Sequence, residues 1–159
     1  MTRNRIAVIG IGNYLLADEG VGMHAVEILR AMKYKEGVDF VDAGTPGMNL
    51  LHQFEQRDKI IFIDSGECGL TPGKFVRFKH EEVVSRKKIK NYSLHEFDLI
   101  SFIEKAKEIG TINGKDIVIY CMQAGEIRMS SELSPAVQKG LGSMLKSIYD
   151  EIEEKSTNA

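Results

Sequence analysis

Residues 5–29 read RIAVIGIGNYLLADEGVGMHAVEIL, and this stretch decides the fold class. Arg5 to Gly10 is a short apolar run that predicts a buried strand. Asp18 is placed to cap a helix whose inward stripe is Val21, His24, Ala25, Ile28, Leu29 and Met32, positions that share one face at the helical period. The same alternation continues down the chain. A second strand is expected at Val38 to Asp42, followed by the turn residues Gly44, Thr45, Pro46 and Gly47. Met48, Leu51 and Phe54 suggest a short helix, and KIIFID, Lys59 to Asp64, a third strand. Gly73 to Lys79 suits an edge strand or hairpin arm. Leu94 to Lys107 reads as a helix through Leu94, Phe97, Phe102, Ile103 and Ala106, and DIVIYCM, Asp116 to Met122, as a further buried strand. Pro135 opens a last helix with the stripe Val137, Leu141, Met144, Leu145, Ile148, Tyr149 and Ile152. Strand and helix in succession predict an α/β fold: a three-layer sandwich around a mostly parallel, twisted central sheet. Residues 1–154 form one domain in this reading, and the polar tail 155–159 is expected to fray.

The chain has 159 residues, enough for one core without a disulfide or structural metal. Its 21 basic and 23 acidic side chains leave a formal charge of −2, which supplies no broad footprint for nucleic acid or anionic lipid. No apolar run reaches the roughly 20 residues of a membrane span. The basic then apolar start lacks a small-residue cleavage site, so a cytoplasmic protein is expected. Cys68 and Cys121 have no C-x-x-C spacing and read as small packing residues in a reducing compartment. The charged run from Lys79 to Lys90 reads as a solvated loop or helix end.

Three acids fall where such a fold places its chemistry, outside the carboxyl ends of the strands. Glu19 follows the loop after the first strand, Asp42 ends the second and Asp64 ends the third. A carboxylate leaving a buried strand must find water, a donor or a cation. Capping and turn hydrogen bonds are the alternative use of each. His95, just inside the helix expected from Leu94, is a candidate third ligand beside two carboxylates. One imidazole and two carboxylates form a mixed nitrogen and oxygen set that suits Zn, Ni, Mn or Fe.

Other chemistry is disfavoured. Gly10-Ile11-Gly12 follows a strand as in a dinucleotide fingerprint, but Leu15 stands where the third glycine is required and Asp18 and Glu19 would repel a pyrophosphate. No G-x-S-x-G is present. His24, on the apolar stripe, reads as a hydrogen-bonded core residue. A receiver-like Mg²⁺-binding module is also disfavoured, because no lysine follows DIVIYCM to pair with a phosphoryl group.

IGIGNYLLADEGVGMHAVEIL resembles the N-terminal signature of the hydrogenase maturation endopeptidases, a G-x-G-N loop followed by D-E-G-x-G and a helix. DAGTPGMNLL, Asp42 to Leu51, is similar to that family's D-x-G-T-x-G segment, and KIIFIDS to its third strand. YSLHEFDLISFI and SELSP match its helix-starting histidine and the loop before its last helix. The likeness runs from about Ile6 to Ile152. Gln123-Ala124 and Glu132 depart from the family's Q-P and from its glycine before L-S-P.

The resemblance implies an endopeptidase that removes the C-terminal extension of a nickel-loaded hydrogenase large-subunit precursor. It implies that Glu19, Asp64 and His95 are the catalytic, metal-contacting residues, and that Asp42, Gly44 and Thr45 help bind the substrate. The nickel would arrive with the precursor, and other divalent metals would substitute in the free protein. The expected partner is that precursor, with neither nucleic acid nor membrane involved. The alternative is a non-cleaving chaperone or binding module that docks on a metalloenzyme precursor.

Overall fold

Side chains alternate between two faces along the central strands, and each face meets its own layer of helices. The computed structural model describes residues 4–45, 47–82 and 99–157, without the side chains of 155–157. Five strands are present among them: β1 (Ile6–Ile11), β2 (Val38–Gly44), β3 (Lys59–Gly66), β4 (Phe75–Lys79) and β5 (Asp116–Gln123). The helices are α1 (Val21–Arg30), α2 (Leu99–Ile109) and α3 (Pro135–Thr157), with 3-10 turns at Ala17–Gly20, Met48–Phe54 and His80–Glu82. The sheet order is β2-β1-β3-β5-β4. All pairs are parallel except the antiparallel edge pair β4 and β5.

Ala7, Ile9, Ile60, Phe62, Ile117 and Ile119 point to one face, where they pack with Leu50, Phe54 and the α2 residues Phe102 and Ile103. Val8, Ile61, Ile63, Val118 and Met122 point to the other, against α1 and α3. These are the three layers. Burial on both faces is why β1, β3 and β5 read as continuous apolar runs. The edge strand β4 alternates instead, with Phe78 buried and Arg77 and Lys79 exposed.

The start of α1 lies directly on the sheet. A Cβ built on Gly22 would stand 2.6 Å from the carbonyl oxygens of both Ile11 and Ile63, and one on Gly10 would stand 2.3 Å from the Gly22 carbonyl. Glycine at these positions lets the helix touch β1 and β3 backbone to backbone. That contact also corrects the expected stripe. Gly22 sets the rotation, so Val21, Met23, Ala25, Val26 and Leu29 are buried, whereas Ile28 and Met32 are each 39% exposed and His24 is only half-buried. Asp18 does not cap the helix either; Gly20 takes that position with no side-chain bond. At the other end, α3 starts at Pro135 as expected and continues to Thr157, into the residues expected to fray. The expected helix start from Leu94 to Asp98 and most of the charged run to Lys90 lie outside the described residues.

Far from the carboxyl ends of the parallel strands, Glu151 of α3 fastens the helix to the sheet. It accepts from Lys59 at 2.8 Å, from Arg77 at 2.6 and 3.0 Å, and from the Tyr120 hydroxyl. Burial alone would raise its pKa, but the bonds from Arg77, Lys59 and Tyr120 outweigh it and pull the carboxyl down to about 2.

Two glycine substitutions separate close approach from helix propensity. Gly22→Ala should destabilise the fold by about 1–3 kcal/mol through overpacking against two strand carbonyls. Gly142→Ala, on an exposed stretch of α3 with nothing within 4 Å, should stabilise it by about 0.5–1 kcal/mol. Urea unfolding midpoints of the two variants check both signs; equal effects would remove the close-approach argument.

Candidate active site

The sheet order reverses beside β1. The chain leaves β1 for β2 on one side, then crosses to β3 on the other, so the carboxyl ends of β1 and β3 form a topological switch point. In open α/β sheets that crevice is where ligands bind. The loop after β1 carries Glu19 to it, and Asp64 stands on β3 itself.

The loop after β1 is held on both sides. The Gly12 amide donates to the Gly44 carbonyl at 2.8 Å, tying the loop to the end of β2. Gly12 has φ +134, and a Cβ there would stand 1.9 Å from the Glu19 carbonyl oxygen, so the loop folds tightly back over it. On the other side the Ala17 amide donates to Ser130 at 2.7 Å and the Ser130 amide to Leu15 at 2.9 Å. Ala17 adopts φ +51, a left-handed conformation that costs a non-glycine residue about 1–2 kcal/mol. The paired segments on either side hold it there.

Asp18 is the anchor of this arrangement. Its side chain is fully buried and accepts four hydrogen bonds: from the amides of Gly125 and Glu126 at 2.8 and 2.7 Å, and from the amide and hydroxyl of Ser134, both at 2.7 Å. Burial pushes its pKa up. The donors from Glu126, Ser134 and Gly125 more than offset that, and the carboxyl lies below the usual value. Sequence reasoning assigned Asp18 to a helix cap and missed this role. The available signal was Ser134 immediately before Pro135, a hydroxyl at a helix start.

Glu19 follows in the same buried turn, which packs against β3, and is 9% exposed. Asp64 is 8% exposed, and its Oδ1 accepts from the Ser65 amide at 2.8 Å. Both acids therefore sit at the crevice, nine-tenths withdrawn from water. Asp42 is exposed on the edge strand, opposite Gly10 in register. Gly44 has φ +58 and receives the Gly12 amide, which brings segment 42–45 to the same rim. Thr45 is exposed there. His95 lies outside the described residues, and among those described no group of three or more His, Cys, Asp or Glu is placed to hold a metal ion.

The remaining residues singled out in the sequence take ordinary places. His24 stacks on Tyr14 at 4.8 Å between ring centroids and lies 3.2 Å from the Ser131 carbonyl. Glu126 is exposed and pairs with Arg128 at 3.0 Å. Gln123 is buried. Its amide oxygen accepts from the Cys68 and Leu70 amides at 2.7 and 3.3 Å, and its amide nitrogen donates to Glu67 at 2.9 Å. Glu132 stays exposed on the loop before α3.

The family model for hydrogenase maturation protease matches residues 23–151, a span that holds Asp64 and His95 and begins just after Glu19. The hydrogenase expression/formation protein HupD of Bradyrhizobium diazoefficiens is 34% identical over 136 residues, 85% of this chain and 71% of that protein. The chain spans less than two thirds of the length of other curated relatives that it matches. Among solved structures, the hydrogenase maturating endopeptidase HybD from Escherichia coli superposes with a TM-score of 0.81 at 27% identity, covering 95% of this chain and 93% of its own. The [NiFe] hydrogenase maturation protease HybD from Thermococcus kodakarensis gives 0.76 at 25% identity, covering 93% and 99%.

Replacing Asp18 with Asn removes the charge and turns an NH₂ group toward buried donors. The variant should lose about 2 kcal/mol or more of stability at neutral pH. Because the folded-state pKa is lowered, the native advantage is complete above the ordinary carboxylate value of about 4 and fades as pH falls through the lower folded value. Unfolding curves of both proteins between pH 7 and strong acid should therefore converge; a gap that does not depend on pH would refute the charge argument.

Proposed function

This chain belongs to the hydrogenase maturation protease family, and from that premise we propose that it removes the C-terminal extension of a nickel-loaded hydrogenase large-subunit precursor. The observation that supports this reading most directly is the pair Glu19 and Asp64, two buried carboxylates brought by separate elements to the crevice between β1 and β3. Carboxylates that are nearly withdrawn from water suit a cation that comes to meet them. With the imidazole of His95 they make a mixed oxygen and nitrogen set that fits nickel and other divalent metals.

In this reading Glu19, Asp64 and His95 hold the nickel carried by the precursor. A metal so held supplies Lewis-acid polarisation of the scissile carbonyl or a more acidic bound water. Asp42, Gly44 and Thr45 contact the precursor chain from the β2 side of the crevice. A precursor without nickel leaves the donor set incomplete, so selectivity comes from assembling the site. The reaction belongs to the cytoplasm, and free protein accepts other divalent ions at the same residues.

A protein-sized substrate also suits the rim. Tyr14, Leu15, Met48, Leu70, Ile127 and Met129 are all exposed, on segments that follow the carboxyl ends of the parallel strands, with Met129 81% exposed. Exposed apolar side chains on the loops of one rim suit a surface that meets another protein. Among the described residues no helix is long and apolar enough to cross a membrane.

Intact mass spectrometry of a large-subunit precursor, incubated with this protein with and without nickel loading, tests the reading. A C-terminal peptide should leave only the nickel-loaded sample. Glu19→Gln and Asp64→Asn should each slow that release by about a hundredfold or more while leaving the circular dichroism unchanged. A stable complex without cleavage would point instead to a docking chaperone. Cleavage at the normal rate by both variants would end the assignment of these two residues.

A further inference from the structure

Cys68 and Cys121, separated by 52 residues in sequence, meet thiol to thiol with their sulfur atoms 2.9 Å apart. Cys121 sits on β5, opposite Asp64 in register, and is 1% exposed. Cys68 lies two residues beyond the end of β3 and is half-buried. Its position is built by its neighbours: the Cys68 and Leu70 amides both donate to the buried side-chain oxygen of Gln123. Gln123 follows Cys121 on the same strand by two residues, so one amide side chain holds the loop 66–70 over the second thiol.

We propose that Cys68 and Cys121 form a reversible dithiol–disulfide site whose oxidant is a low-molecular-weight disulfide. The half-buried Cys68 is the entry point. Its thiolate attacks one sulfur of the small disulfide, forming a mixed disulfide and releasing one small thiol. The Cys121 thiol then gives up its proton, its sulfur attacks Cys68 Sγ, and the second small thiol leaves. In sum the protein loses two protons and two electrons, and the small disulfide gains them as two thiols. Closing the contact to a bond of about 2.05 Å requires less than an ångström of approach. Disulfides of this kind in a reducing compartment are transient or redox-sensing rather than structural. The closed form fastens the loop after β3 to β5 beside Asp64. The chemistry of the pair stands independently of the proteolytic reading above.

The test is intact mass and peptide mapping of the full chain treated with oxidised glutathione, in native buffer and in concentrated urea. The native protein should lose two hydrogens with no retained glutathione, map to a Cys68–Cys121 link, and recover with dithiothreitol. Ring closure should run at least about tenfold faster in the native state than in urea, because the fold holds the sulfurs together. Cys121→Ala should retain one glutathione on Cys68, and Cys68→Ala should resist modification because Cys121 is buried. Native protein that keeps both thiols, that stops at a glutathione adduct, or that closes no faster than the unfolded chain would overturn the proposal.

Discussion

A carboxylate removed from water must be met by donors, and Asp18 meets four, all from residues 125–134. That single group joins the loop after β1 to the loop after β5 and to Ser134, the residue immediately before α3. The backbone pairs from Ala17 and Ser130 lie beside it, and together they keep Ala17 in a conformation it would otherwise leave. Glu19 is the next residue after the anchor. Its position at the crevice follows from a buried charge that itself faces away into the protein.

A second constraint works from the other side of the turn. Gly10, Gly12 and Gly22 allow the turn and the start of α1 to rest on strand backbone with no side chain between. Any Cβ at Gly22 would lift the helix from β1 and β3, and with it the turn that carries Glu19. The glycines bring this segment close, and Asp18 fixes its lateral position. The turn that carries Glu19 packs against β3, the strand of Asp64, because both conditions hold.

The strands were legible because their physics is local. β1, β3 and β5 are buried on two faces, so each appears as an apolar run, and the expected limits differ from the observed ones by only a residue or two. The inward face of α1 was less legible. Ile28 and Met32 look like core residues by spacing, but the rotation is set by the contact of Gly22 with two strands, which periodicity does not record. Asp18 was read as a local cap, whereas its partners lie more than a hundred residues away. The contact of Cys68 with Cys121 was hidden for the same reason: it depends on β3 and β5 being neighbours in the sheet. Asp42 and Asp64 were legible because each falls near the end of its strand, which runs two residues further than the sequence suggests, while His95 lies outside the described residues.

The loops that carry Glu19 also carry exposed apolar side chains, so the stability of the fold bears on the shape of that rim. Tyr14 and Leu15 precede the Asp18 anchor by a few residues, and Ile127 and Met129 lie on the segment that Asp18 holds. These side chains face solvent, so they add little to the core and are kept in place by the backbone pairs below them. The same backbone pairs support the turn carrying Glu19. The exposed rim and the turn carrying Glu19 thus share one support, a loop pair closed by one buried charge.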